Sequence, residues 1–142
     1  MQKIHVAAEL LDQALRLYFE GAAFFAVIHL AAAAEEVLGG YIAKNGGVDS
    51  LRAWAGLMAV VSDDHSKDAR KADWAYLVQT KNAIKHNNFV EECFLDVNPQ
   101  SEAKEWLSRA VSNYVRLQRN YDLPETELIK RFRAELANRE GL

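Results

Sequence analysis

"GAAFFAVIHLAAAAEEVLGGYIAKNGG", residues 21–47, is the stretch on which the fold turns. Its first 14 residues are apolar apart from His29, and Glu35 and Glu36 close the run. A bilayer crossing needs ~20 such residues, so the run reads as a buried core helix. The pattern predicts a helix over residues 22–44, apolar nearly all round, which places it at the centre of a domain with neighbours on several sides. Asn45, Gly46 and Gly47 end it, since these residues accept the left-handed backbone common just past a helix.

The rest of the chain supplies the neighbours. Residues 4–20 repeat Leu10, Leu11, Ala14, Leu17 and Tyr18 at three- and four-residue steps, forming a first helix that Gly21 breaks. A third helix, residues 49–61, carries Leu51, Trp54, Ala55 and Met58 on one face. The polar turn "SDDHSKD" offers N-caps to a fourth, residues 68–86, with Trp74, Leu77, Lys81 and Ile84 along one side and Ala75, Gln79, Asn82 and His86 along the other. "FVEECFLDV" reads as irregular. Asn98 and Pro99 give a fifth helix its N-cap and first-turn proline, ahead of an apolar stripe of Ala103, Trp106, Leu107, Ala110, Tyr114, Leu117 and Tyr121. Asp122 and Pro124 repeat that start for a sixth, whose narrow apolar face is Leu128, Ile129, Phe132 and Leu136. With two prolines, seven glycines and no internal repeat, the 142 residues predict one domain, 1–142, of all-α class. Short connections make it an up-down antiparallel bundle of five to six helices.

A net charge of −3 and a pI near 5.8 exclude a global basic footprint of the kind that drives non-specific nucleic-acid binding. Any such contact must be local. Arg109, Arg116, Arg119, Lys130, Arg131, Arg133 and Arg139 gather towards the C-terminus, yet Glu125, Glu127, Glu135 and Glu140 interleave with them. They form either a solvated mixed-charge face or an RNA-facing strip. Cys93 is the only cysteine, so no internal disulfide forms, and the expected compartment is the cytoplasm. Acidic residues occupy the place of a signal peptide's apolar region in "MQKIHVAAELLDQAL", and no membrane partner is expected.

Projected at about 100° per residue, Ala22, Phe25, His29, Ala32, Ala33, Glu36 and Gly40 of the second helix fall in one stripe. Small residues there let another helix approach closely. A histidine and a glutamate within it are either a polar site inside the bundle or an interhelical hydrogen bond that fixes packing. Metal and cofactor chemistry has no support in the spacing. The residues three before His5, His29, His65 and His86 are Gln2, Ala26, Ser62 and Ala83, so there is no Glu-x-x-His pair. Phosphate loops, Cys-x-x-Cys pairs and nucleophile elbows are equally absent, so no metal and no cofactor is expected.

The most unusual stretch is "TKNAIKHNN", residues 80–88, at the end of the fourth helix. Asn82 and His86, four apart, share a face, whereas Lys81 and His86 lie about 140° apart and converge only through unwinding or across a two-fold axis. A histidine near a helix C-terminus also has the plain role of interacting with the helix dipole. "KNAIKH" resembles the motif of the HEPN superfamily of small helical domains, in which an arginine, commonly followed by asparagine, precedes a histidine by four to six residues. The pair in "EEVLG" is similar to that family's early helix. The resemblance implies a HEPN-like bundle that forms a homodimer with the motifs facing across the two-fold, and in many members a metal-independent endoribonuclease. It assigns catalytic places to Lys81, Asn82 and His86, with His29, Glu35, Glu36 and Lys85 as binding or supporting residues. The basic side chain would hold the scissile phosphate and His86 would move protons. Two positions depart from the pattern. Lys81 stands where the family has arginine and lacks its bidentate fork, and Asn88 stands where some members carry tyrosine. These departures favour a non-catalytic or weakly active dimer that binds RNA, a nucleotide or a partner protein. An endoribonuclease of toxin–antitoxin or defence type and a purely structural interaction bundle are the alternatives.

Overall fold

The long apolar run forms α2 (Phe24–Lys44), and the described residues contain five further helices: α1 (Lys3–Glu20), α3 (Ser50–Ser62), α4 (Lys67–Lys85), α5 (Pro99–Leu117) and α6 (Glu127–Glu140). This computed structural model describes residues 1–85 and 96–140, without the side chains of residues 85, 139 and 140. Among the described residues there is no strand, and the architecture is an all-α helical bundle. The irregular reading of "FVEECFLDV" falls, through residue 95, outside the described residues.

α2 packs chiefly against α5 and α1. Ile4, Ala7, Leu11, Ala14, Leu15 and Tyr18 form the inward face of α1, at the three- and four-residue steps of a helix stripe. Gly21 ends α1 at φ 73°, and its N–H donates to the Tyr18 carbonyl at 3.1 Å. A left-handed residue there is natural for glycine. Ala23, two positions on, holds φ 55° without a side-chain cap, a conformation that costs alanine about 1–3 kcal/mol. The tight connection between α1 and α2 turns the chain back, so these two neighbours are antiparallel. α2 has the length and apolarity of a membrane span, but half of that window is buried inside the bundle. Val27, Ile28, Ala31, Ala34, Leu38 and Ile42 meet protein there.

α5 begins as the sequence predicts: Asn98 Oδ1 accepts from the Ser101 N–H at 3.0 Å and Pro99 follows at the first helical position. Trp106, Leu107, Ala110, Tyr114 and Leu117 face the core. α6 starts later than the Asp122–Pro124 reading. The Tyr114 hydroxyl donates to the Pro124 carbonyl at 2.6 Å and Gln118 Nε2 to the Leu123 carbonyl at 3.1 Å, which satisfies this segment as a strap over α5. Thr126 Oγ1, accepting from the Ile129 N–H at 3.2 Å, sits at the head of α6. Ile129 and Phe132 then dock on α1, with the rings of Tyr18 and Phe132 edge to face at 5.6 Å.

α3 and α4 form a hairpin that meets this core along one side only. Leu51 is buried and Ala55 and Met58 are partly so, but Trp54, expected inward, is exposed. The contact face of α3 is a narrow Leu51–Ala55–Met58–Ala59 seam, and Trp54 lies beyond its edge. On α4 the inward residues are Leu77, Val78 and Thr80, while Trp74 is exposed.

Candidate functional site

Consecutive helix residues point about 100° apart, so Glu35 and Glu36 of α2 cannot share an environment. Glu35 falls in line with Ile28, Ala31, Leu38 and Ile42 and is only 3 % exposed. Glu36 turns outward, with its side chain 66 % exposed.

A buried carboxyl needs partners. Asn113 of α5, fully buried, donates Nδ2 to Glu35 Oε1 at 3.3 Å and to the Glu35 backbone carbonyl at 3.4 Å. Its Oδ1 accepts from the Ser50 N–H at 2.9 Å, so one amide ties α2 and α5 to the first turn of α3. Asp49, the N-cap of α3, accepts from the Arg52 N–H at 2.9 Å and from Arg52 Nη1 at 2.7 Å. Asp49 comes this close to α2 because residue 39 is glycine: a Cβ there would stand 3.1 Å from Asp49 Cβ.

Burial pushes the Glu35 carboxyl up to about 7, and the nearby Asp49 charge pushes the same way. The Asn113 hydrogen bond and the charges of Lys81 and Arg109 pull it down without offsetting burial. Arg109 is itself buried, with Cζ 4.8 Å from the centre of the Trp106 ring and Nη2 3.9 Å from Glu105 Oε2. Burial draws its guanidinium below the usual arginine range, against the charges of Glu105, Glu102 and Glu35.

Lys81, only 16 % exposed, reaches from α4 to α2, with Nζ 3.1 Å from Glu36 Oε2 and 5.9 Å from the Trp106 ring centre. Glu36 and Lys81, both named as site residues from the sequence, therefore meet. The rest of the expected constellation is placed differently. His29 is exposed rather than part of a polar site inside the bundle, because the small-residue stripe of α2 mostly faces outward and the buried seams lie beside it. Asn82 is exposed on the next position round from Lys81. His86 and the side chain of Lys85 lie outside the described residues.

Beside the Lys81–Glu36 pair is an open cavity of about 230 Å³, lined by Glu35, Glu36, Asp49, Arg52, Trp74 and Lys81, among others. A second cavity of about 330 Å³ shares Arg52 and Trp74 and adds Ala55, Gly56 and Arg70. Trp74 thus lies between an acid-lined hollow and a basic one. Among the described residues no three His, Cys, Asp or Glu side chains gather as a metal ion requires.

No family model, curated protein or solved structure matches this chain.

Sequence reasoning missed Asn113, the burial of Glu35, and the cavity that Trp74 and Arg70 both line. Asn113 stands three residues after Ala110 and four before Leu117, so it is a polar residue on the α5 stripe itself. Glu35 stands four after Ala31 and three before Leu38. Both spacings were visible. Of the basic residues towards the C-terminus, Arg133 pairs with Glu125 at 3.0 Å and Lys130 with Glu127 at 3.0 Å, as a mixed-charge face would have it, whereas Arg109 is buried and Arg116 donates to the Val48 carbonyl. Those cations serve the fold locally.

Proposed function

We propose that this bundle is a HEPN-like module that binds a nucleotide or single-stranded RNA as a homodimer, in the cytoplasm, with little or no catalysis. The observation that carries the reading is the double groove around Trp74. An exposed indole offers a stacking face to a base, and Arg70, with no ion pair among the described residues, offers positive charge to a phosphate. That combination of aromatic platform and cation is what sequence-tolerant single-strand binding uses. The low-turnover part rests on Lys81, whose amine is already engaged by Glu36 and which lacks the arginine fork. The dimer rests on the outward face of α3, where Trp54, Leu57, Val60 and Val61 present apolar surface.

Tryptophan fluorescence during titration with nucleotides and short oligoribonucleotides, at low salt and with EDTA present, tests the reading. Quenching that disappears in Trp74→Ala and weakens in Arg70→Ala is expected, with the RNA left intact. Failure of every nucleotide and oligonucleotide to bind would overturn it. Metal-free cleavage that Lys81→Ala abolishes would replace the non-catalytic module by an endoribonuclease. Light scattering that finds a 16.0 kDa monomer at tens of micromolar would remove the dimer.

A further inference from the structure

The two cavities that share Trp74 differ in charge, and the difference specifies which base the groove accepts. The basic cavity has Arg52 and Arg70 and no carboxylate in its lining. The other has Glu35, Glu36 and Asp49. Two of those three carboxylates are already paired, Glu36 with Lys81 and Asp49 with Arg52. Glu35 is the exception. One of its oxygens accepts from Asn113, and Oε2 has no partner among the described residues although the residue is almost wholly buried and lines the cavity. An unpartnered carboxylate oxygen on the wall of a cavity is open to a ligand's N–H groups. A phosphate in the same place would meet carboxylates.

We propose that the base bound in this groove is guanine, with its N1–H and exocyclic amine donating to the Glu35 carboxylate, its ring stacked on Trp74 and its phosphate towards Arg70. The inference rests on the nucleotide-binding reading and deepens it. Of the common bases, guanine alone presents an imino N–H and an amino group side by side on its Watson–Crick edge, the arrangement that a carboxylate's two oxygens match. Adenine presents a ring nitrogen acceptor beside its amine, and that acceptor would face the Glu35 charge. Asn113 holds Oε1 and so sets the orientation of the carboxylate. The charges of Lys81 and Arg109 favour its ionised form, against burial and the charge of Asp49.

The test compares GMP, IMP and AMP on the wild type and on Glu35→Gln by fluorescence titration at pH 6 and pH 8. GMP should bind about tenfold or more tighter than AMP, as expected for one well-made bidentate base contact. IMP, which lacks the exocyclic amine, should fall between them. The GMP preference should be larger at pH 8, where Glu35 is ionised, and Glu35→Gln should bring GMP and AMP level while retaining binding. Arg70→Ala should weaken both equally and leave the preference unchanged. Equal binding of GMP and AMP by the wild type, or a preference that survives Glu35→Gln, would overturn the guanine assignment and leave nucleotide binding standing. Absence of binding by all three and by oligonucleotides would overturn both. Within a positive result, tighter binding of a guanine-containing tetraribonucleotide than of GMP assigns the base to a strand, and the reverse assigns it to a free nucleotide.

Discussion

α2 and α3 are comparably apolar stretches with opposite fates. In α2, neighbours on two sides leave Ile28, Ala31, Leu38 and Ile42 buried, and even a glutamate is enclosed with them. In α3, residues 53–62 contain no charge at all, yet Leu57 is 50 % and Val61 79 % exposed. The two helices differ in how many partners touch them. The central position gives α2 walls from α1 and α5, while α3 leans on the bundle through one seam at the end where Asn113 holds Ser50. Apolar composition therefore states what a helix would gain by burial, and the packing decides how much of that gain is realised.

The comparison is broken most directly by a truncation in its buried half. Leu38→Ala removes a fully buried side chain and should destabilise the fold by about 2–5 kcal/mol in urea denaturation. A loss below about 1 kcal/mol would mean that α2 is not the centre of the core.

Next in size is the pH dependence of the enclosed glutamate. The Glu35 carboxyl rises from 4.5 to about 7 on folding, so the folded state holds a proton that the unfolded chain releases. The associated stability is fully present below pH 4.5 and is lost as pH rises through about 7. It amounts to something on the order of 3 kcal/mol. Other carboxylates add slopes of their own, so the informative quantity is the difference between the wild type and Glu35→Gln. The wild type should lose stability relative to the variant between pH 4.5 and 7. A flat difference would show that Glu35 is solvated.

Asn113→Ala probes the link between the two regions. It strips a hydrogen bond from Glu35 and another from the Ser50 N–H and should cost about 1–3 kcal/mol. Amide hydrogen exchange should speed up in α3 more than in α1. Uniform acceleration would mean that Asn113 supports the core as a whole and does not anchor the hairpin.

The smallest effect belongs to the exposed half. Leu57→Ser should change protomer stability by less than about 0.5 kcal/mol, because the side chain has little contact to lose. A loss of 2 kcal/mol or more would place α3 in the core and erase the contrast.

Much of this was legible in the residues. The α1 stripe, the Asn98–Pro99 start of α5 and the Ile129–Phe132 face of α6 follow from periodicity and capping, which act within one or two turns of chain. Trp54 was misread because periodicity names a face without saying how wide the contact on it will be. The Asp122–Pro124 start was misread because the same cap-and-proline pattern also serves a strap, once Tyr114 and Gln118 are close enough to take its carbonyls. For the candidate site, the sequence pointed to Glu36 and Lys81, which meet, and to His29, which is exposed.

By itself the sequence determined that the chain is helical, where most helices begin and end, and that α2 has more apolar surface than any single neighbour could cover. Local hydrogen bonds and backbone preferences set those features, and they need no distant residue. Only the tertiary structure decided which side of α2 faces inward. On a helix apolar nearly all round, the stripe through His29 and Glu36 and the seam through Ile28 and Glu35 are one residue apart in register, and each contains a glutamate. The glutamate enclosed on the inward face is met by Asn113, 78 residues away, whose amide satisfies Glu35 and the head of α3 together. A buried carboxyl is tolerable only where such a partner arrives, and no local pattern records its arrival.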